Sequence, residues 1–152
     1  MPSATKTTPL GPVTITEEDG AIVGVEFSGG EETEIASPLL KKAFEELEEY
    51  FAGARRTFDL PLRPRGTPFQ RAVWDALLEI PYGQTRSYKD IALAVGRPKA
   101  YRAVGMANNR NPISVFIPCH RVIGAGGQLV GYGGGLDKKR YLLDLEKKHL
   151  AE

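Results

Sequence analysis

Cys119 and His120 are the residues of this chain best suited to covalent chemistry, adjacent near the end of the apolar run at residues 111–122, NPISVFIPCHRV. A thiolate is a strong nucleophile, an imidazole can take the thiol's proton, and nearby positive charge favours thiolate over thiol. A cysteine that closes a buried segment is ordinarily inert, so its surroundings must decide between core residue and reagent. Here seven basic residues, Arg86, Lys89, Arg97, Lys99, Arg102, Arg110 and Arg121, stand in residues 86–121 against the single acid Asp90. Cys119 is the one cysteine of the chain, which excludes an internal disulfide and a multi-cysteine zinc site, so no metal is expected. The simplest setting is then the reducing cytoplasm. Residues 124–135 are rich in glycine but have neither the Walker spacing nor a GxGxxG opening a helix, which argues against nucleotide binding.

The net charge of +1 hides a division near Leu60. Residues 1–60 carry 5 Lys/Arg and 12 Asp/Glu, a balance of −7, whereas residues 61–152 carry 15 and 7, a balance of +8. A basic half suits a polyanion, although a solvated basic surface explains the same numbers. No run of eighteen uncharged apolar residues and no apolar leader are present, so no membrane association is expected.

Several local signals show which elements must position these residues. Residues 12–16 and 21–27 are β-branched runs around Glu18-Asp19-Gly20, the pattern of a hairpin. Ser37 as N-cap and Pro38 at the first helical position precede Leu40, Ala43, Phe44, Leu47 and Phe51, an amphipathic helix ending near Gly53 whose Glu45, Glu46, Glu48 and Glu49 form its wet face. Residues 59–66 read as a linker. Thr67-Pro68-Phe69-Gln70 is a capping box for a helix bearing Phe69, Val73, Leu77 and Ile80, with Trp74 in the core, stopped by Pro81-Tyr82-Gly83. Ser87-Tyr88-Lys89-Asp90 opens a short helix reaching Gly96, and Pro98 starts another over about residues 98–108. Two short helices joined by a tight turn suggest a helix-turn-helix unit. Ala100, Ala103, Gly105 and Ala107 would let that second helix approach a groove closely.

The segment PCHRV, preceded by NPI and followed by GYGGGL and LLDLE, resembles the signature of the O6-alkylguanine-DNA alkyltransferases. The resemblance runs from Thr67 to Glu146 and, more faintly, over PLGPVTIT and DGAIVGVEF in the first lobe. It implies an α/β (α+β) fold: a small N-terminal antiparallel-sheet lobe of ribonuclease H-like type at residues 1–64, and a C-terminal helical lobe with a winged helix-turn-helix at residues 65–152. It further implies a Cys119 nucleophile whose proton passes through a water to His120, with Glu146 behind the imidazole. Asn111 would hold the turn between recognition helix and active-site segment. Tyr88 would hydrogen-bond the flipped guanine and help protonate it as it leaves, and Arg102 would fill the vacated stack. Lys99, Ala100, Tyr101, Ala103 and Arg110 would join Arg102 against the minor groove, while Ser114, Val122, Tyr132 and Gly133 would line the alkyl pocket. The carbonyls of Cys119 and Val122 would read the guanine amino group.

An alkyl carbon on guanine O6 is out of a thiol's reach inside a duplex, so the nucleotide must be extruded. The expected reaction is one irreversible transfer to Cys119, without cofactor, by a monomer acting on double-stranded DNA that contains O6-alkylguanine. O4-alkylthymine is a second possible substrate. Ser114, Gly133 and Tyr101 depart from residues frequent in relatives and bear on the scope of alkyl groups and on DNA contacts. A lesion-binding damage sensor without transfer, a cysteine hydrolase and a simple winged-helix DNA binder are the alternatives, and each leaves part of the Cys-His-Glu and basic helix-turn-helix set idle.

Overall fold

Residues 2–132 and 134–151 are described by a computed structural model, in which the chain divides into two units. In the first, residues up to Arg65 with Pro112–Ser114, threonine- and valine-rich segments form an antiparallel sheet of β1 (Ser3–Thr8), β2 (Gly11–Glu18) and β3 (Ala21–Phe27), in that order. The expected hairpin joins β2 to β3 through Asp19 (φ 49°) and Gly20 (φ 79°), two successive positive φ values of the kind a tight hairpin turn needs. Strand β1 was not anticipated, because its sequence SATKTT has no apolar alternation. Its polar face is satisfied by threonine contacts instead, Thr5 Oγ1 lying 2.6 Å from Thr14 Oγ1.

Helix α1 (Pro38–Phe51) starts as expected, with Ser37 Oγ accepting the Leu40 amide at 3.2 Å and Pro38 in the first turn. Leu40, Ala43, Phe44, Leu47 and Tyr50 are buried, as are Val13, Ile15, Ile22 and Val25 of the sheet. Glu46 departs from its assignment to the wet face. It is only 3% exposed, accepting the Asp59 amide at 2.8 Å and facing Arg55 at 3.5 Å. The chain returning past the helix brings a backbone donor that needs this acceptor. Residues Pro112–Ser114 join the unit where the Val25 amide donates to Pro112 O at 2.8 Å.

The second unit holds Gly66–Asn111 and Val115–Glu152. Thr67 and Gln70 cap α2 (Pro68–Leu78) reciprocally, and its Val73, Trp74 and Leu77 are buried, Trp74 donating its indole proton to Ala107 O at 2.9 Å. β4 (Arg86–Ser87) leads through a second capping box, Ser87 with Asp90, into α3 (Tyr88–Ala94). Helix α4 (Tyr101–Asn109) packs on α2 and α3 as the second helix of the helix-turn-helix. It begins three residues later than Pro98, because the Ala100 amide donates to Arg97 O at 2.9 Å and closes a turn there. Lys99 and Ala100 therefore lie in and at the end of the turn, and the helix proper starts at Tyr101. β5 (Val122–Ile123) pairs in parallel with β4, and α5 (Leu136–Leu150) completes the unit. Among the described residues, no helix is long and apolar enough to cross a membrane.

Candidate active site

Cys119, His120 and Arg121 share one turn of 3-10 helix, and all three are buried, Cys119 at 3% exposure. Asn108 near the end of α4 and Asn111 just beyond it secure this turn and the chain leading into it. Asn111 Nδ2 donates to Ile117 O at 2.9 Å, and Asn108 Nδ2 to Cys119 O at 3.3 Å. Asn111 thus ties the chain just after α4 to the segment that leads into this turn. Asn108 was not singled out from sequence, where it resembled any polar residue near a helix end. The Cys119 carbonyl also accepts the Val122 amide. Both of its lone pairs are thereby engaged, and it would have to give one up to read a guanine amino group.

His120 is completely buried. Its Nε2 lies 2.6 Å from Glu146 Oε2, while Nδ1 has no hydrogen-bond partner among the described residues. A carboxylate can only accept, so the proton sits on Nε2 and Nδ1 is left as the basic nitrogen. Glu146 reaches the ring because α5 turns Lys139, Leu142 and Glu146 to its buried face. Its oxygens also accept Arg121 Nε at 2.9 Å, Arg121 Nη2 at 3.0 Å and the Gly83 amide at 3.0 Å. Burial would raise the Glu146 pKa, but the hydrogen bonds and charges of His120 and Arg121 outweigh it and hold the carboxyl far below the usual range. His120 is shifted down, first by burial; the attraction of Glu146 is opposed by Arg121 and Lys139. The imidazole is therefore neutral beside an ionised Glu146 whose charge Arg121 balances.

Two further groups lie within electrostatic range of Cys119. Tyr88 is half-buried, donates its hydroxyl proton to Val130 O at 2.7 Å, and has a pKa raised first by burial and then by the Cys119 charge. Lys139, fully buried, donates to Val130 O at 2.9 Å and Gly131 O at 3.2 Å. Burial lowers its pKa to about 8, against the attraction of Cys119. That attraction is mutual, so the Lys139 ammonium favours a charged sulfur. Lys139 was missed from sequence, where LDKKRYLLDLEKKHL reads as a helix with solvated lysines.

The remaining expected residues separate into groups. Arg102, Tyr101 and Ala103 are exposed on α4, with Arg110 exposed at its C-cap and Lys99 exposed just before it, and the Tyr101 ring lies under Lys89 Nζ at 5.6 Å. Ala100 is half-buried at the N-cap of α4. Val122 and Tyr132 are buried in the same unit as Cys119. Ser114 groups with the N-terminal unit and is half-buried there. Gly133 lies outside the described residues.

The arrangement can deliver a deprotonated sulfur from a buried turn beside a face of exposed basic side chains. Comparison with known proteins points the same way. A family model described as 6-O-methylguanine DNA methyltransferase, DNA binding domain, matches residues 68–148, and one described as the ribonuclease-like domain of the same methyltransferase matches residues 3–64. A methylated-DNA–protein-cysteine methyltransferase of Methanosarcina barkeri is 51% identical over 149 residues, covering 93% of this chain and 94% of its own. The constitutive enzyme of that name from Bacillus subtilis is 49% identical, covering 94% and 93%. The crystal structure of Mycobacterium tuberculosis OGT in complex with DNA superposes with a TM-score of 0.88 at 47% identity, covering 97% of this chain and 93% of that one.

Proposed function

The chain belongs to the O6-methylguanine DNA methyltransferase family, and from that premise we propose that it repairs O6-methylguanine in DNA by transferring the methyl group once and irreversibly to Cys119. The observation that carries this reading is the buried turn that holds Cys119 and His120 together, with His120 Nε2 bound to Glu146 and Nδ1 without a hydrogen-bond partner among the described residues. The Cys119 proton passes to Nδ1 across a bridging water. The sulfur then attacks the alkyl carbon in line, the S–C bond forming as the O6–C bond breaks. Guanine leaves as an anion that regains a proton, with Tyr88 as donor to the ring. No second nucleophile follows in this scheme, so the thioether persists and each molecule acts once.

The protein binds DNA, as its family membership implies. The finer expectation is a monomer that takes double-stranded DNA containing O6-alkylguanine, with residues 1–64 as the N-terminal lobe and 65–152 carrying recognition and transfer. Arg102 enters the stack left by the flipped base, flanked by Lys99, Ala100, Tyr101, Ala103 and Arg110, and exposure of most of this set supports the placement. Val122, Tyr132, Ser114 and Gly133 are assigned to the alkyl pocket, and Asn111 to holding the turn. A cytoplasmic location rests on the single reduced cysteine.

Intact mass after mixing with a duplex containing one O6-methylguanine tests the reading. Wild type gains one methyl and stops there, and Cys119→Ser gains none. Binding without mass gain in the wild type would replace transfer with lesion sensing.

A further inference from the structure

The carboxylate that holds His120 is gripped more extensively by Arg121, whose Nε and Nη2 reach the two Glu146 oxygens at 2.9 and 3.0 Å. The third guanidinium nitrogen donates to Ile80 O at 2.8 Å, and the group lies 5.7 Å from the centroid of the Tyr82 ring. Arg121 is 6% exposed, so this cation is spent inside the protein. The other charged or titratable groups around His120 are Glu146 and Lys139 from α5 and Cys119 on the same turn, with Tyr88 of α3 next to Cys119. Helix α2, which packs on that turn, buries only the apolar Val73, Trp74 and Leu77.

A buried histidine paired with a carboxylate alone would hold a second proton firmly, because imidazolium and carboxylate attract strongly where water is excluded. Beside a cysteine, that produces a resting thiolate–imidazolium pair. A guanidinium bound to the same carboxylate changes the balance. It never gives up its charge, so the Arg121–Glu146 pair is neutral as a unit, and a proton added to His120 becomes an uncompensated positive charge with Lys139 nearby. We propose that Arg121 is a positioning residue that, by claiming Glu146, keeps His120 neutral and ready to act as a base. The proton taken from Cys119 then makes a strongly acidic imidazolium, which releases it to solvent once the S–C bond has formed, and solvent reprotonates Tyr88 after it has donated to the guanine. Burial is the first cause of the depressed His120 pKa, and the Arg121 charge acts in the same direction against the pull of Glu146.

The inference rests on the alkyl-transfer reading for its role, but its test does not. The chain has two histidines, so the ring nitrogens of His120 can be followed by NMR against pH in the substrate-free protein. In the wild type the His120 midpoint lies below the ordinary value of about 6.5. A ring protonated at pH 7 would overturn the proposal without any variant. Arg121→Gln removes the charge but keeps amide donors, and should raise the midpoint by about one pH unit or more, a tenfold change in proton affinity. The acid limb of Cys119 alkylation by iodoacetamide should move up with it. Arg121→Lys restores the charge and should return both to near the wild-type position. Rates that fall equally at every pH, a His120 midpoint unmoved in Arg121→Gln, or equal shifts in the Gln and Lys variants would each reduce Arg121 to a packing role. Failure of the wild type to accept a methyl group would instead sink the transfer reading and leave the NMR result standing.

Discussion

Replacing Glu146 by glutamine is the most exacting perturbation of this site, because one carboxylate accepts hydrogen bonds from His120, Arg121 and the Gly83 amide there. The amide side chain of Glu146→Gln would keep one acceptor oxygen but turn an NH2 group toward either His120 Nε2–H or the Arg121 fork, and would leave the Arg121 guanidinium buried without a counter-charge. Breaking a buried ion pair from one side costs about 3–5 kcal/mol. In a chain of this size that lowers Tm by roughly 10 °C. The pH dependence has a definite sign. Glu146 has a folded pKa far below its unfolded value, so its stabilisation is full above the unfolded carboxyl range and is lost as pH falls toward the folded pKa. Denaturant unfolding of wild type and Glu146→Gln at several pH values should therefore show a constant gap from about pH 6 to 8 that narrows below about pH 4. The double variant Arg121→Met/Glu146→Gln should recover part of the loss, since it removes the stranded cation as well. A gap under about 1 kcal/mol, or a double variant whose loss is the sum of the singles, would refute the view that Arg121 and Glu146 form one unit.

Lys139→Met should destabilise the fold at pH 7 by no more than about 3 kcal/mol, because relief of a net penalty of about 3 kcal/mol, read from the fall from 10.5 to about 8, offsets two lost charged hydrogen bonds worth about 3–6 kcal/mol together. Wild-type stability should rise between pH 8 and 10.5, where the unfolded chain keeps a proton the folded one has shed, and the Met variant should lack that rise; iodoacetamide should modify its Cys119 at least about tenfold more slowly at neutral pH. Gly131→Ala places a Cβ 2.7 Å from Asn109 Oδ1 at φ 60°, so hydrogen exchange in the loop around Val130 should quicken while α2 amides stay protected, and an unchanged loop would refute the contact. Arg102→Ala should slow methyl transfer from duplex by about tenfold or more but leave reaction with free O6-methylguanine intact, because only the duplex requires the base to be extruded. Equal losses on both substrates would remove the wedge role.

The features legible in the sequence were those with a local cause. Ser37-Pro38, Thr67 with Gln70 and Ser87 with Asp90 each mark a helix start by an oxygen that caps nearby amides, and all three start where those residues sit. Asp19-Gly20 likewise marked the hairpin. Pro98 misled because a proline suits both the first turn of a helix and the second position of a β-turn, and only the Arg97–Ala100 hydrogen bond separates them. β1 escaped because threonines satisfy one another across strands without an apolar pattern.

The charged parts of the site were illegible for a different reason. Along α5 the buried stripe is Lys139, Leu142 and Glu146, two charges around one apolar residue, so the periodicity that reveals a core face is absent from this one. Each of these charges is tolerable inside only because of a partner distant in sequence: Glu146 through His120 and Arg121, 26 and 25 residues away, and Lys139 through the carbonyls of Val130 and Gly131. Glu146 could be named only by resemblance to a family. Arg121 was counted among seven residues available to a polyanion, yet its side chain faces inward and is neutralised, leaving six for that purpose. The basic excess that points to DNA survives this subtraction, since Glu146 leaves the count of acids together with Arg121. A charge census can therefore identify a polyanion-binding half correctly while misassigning the very residue that, bound inward, governs the base next to the nucleophile.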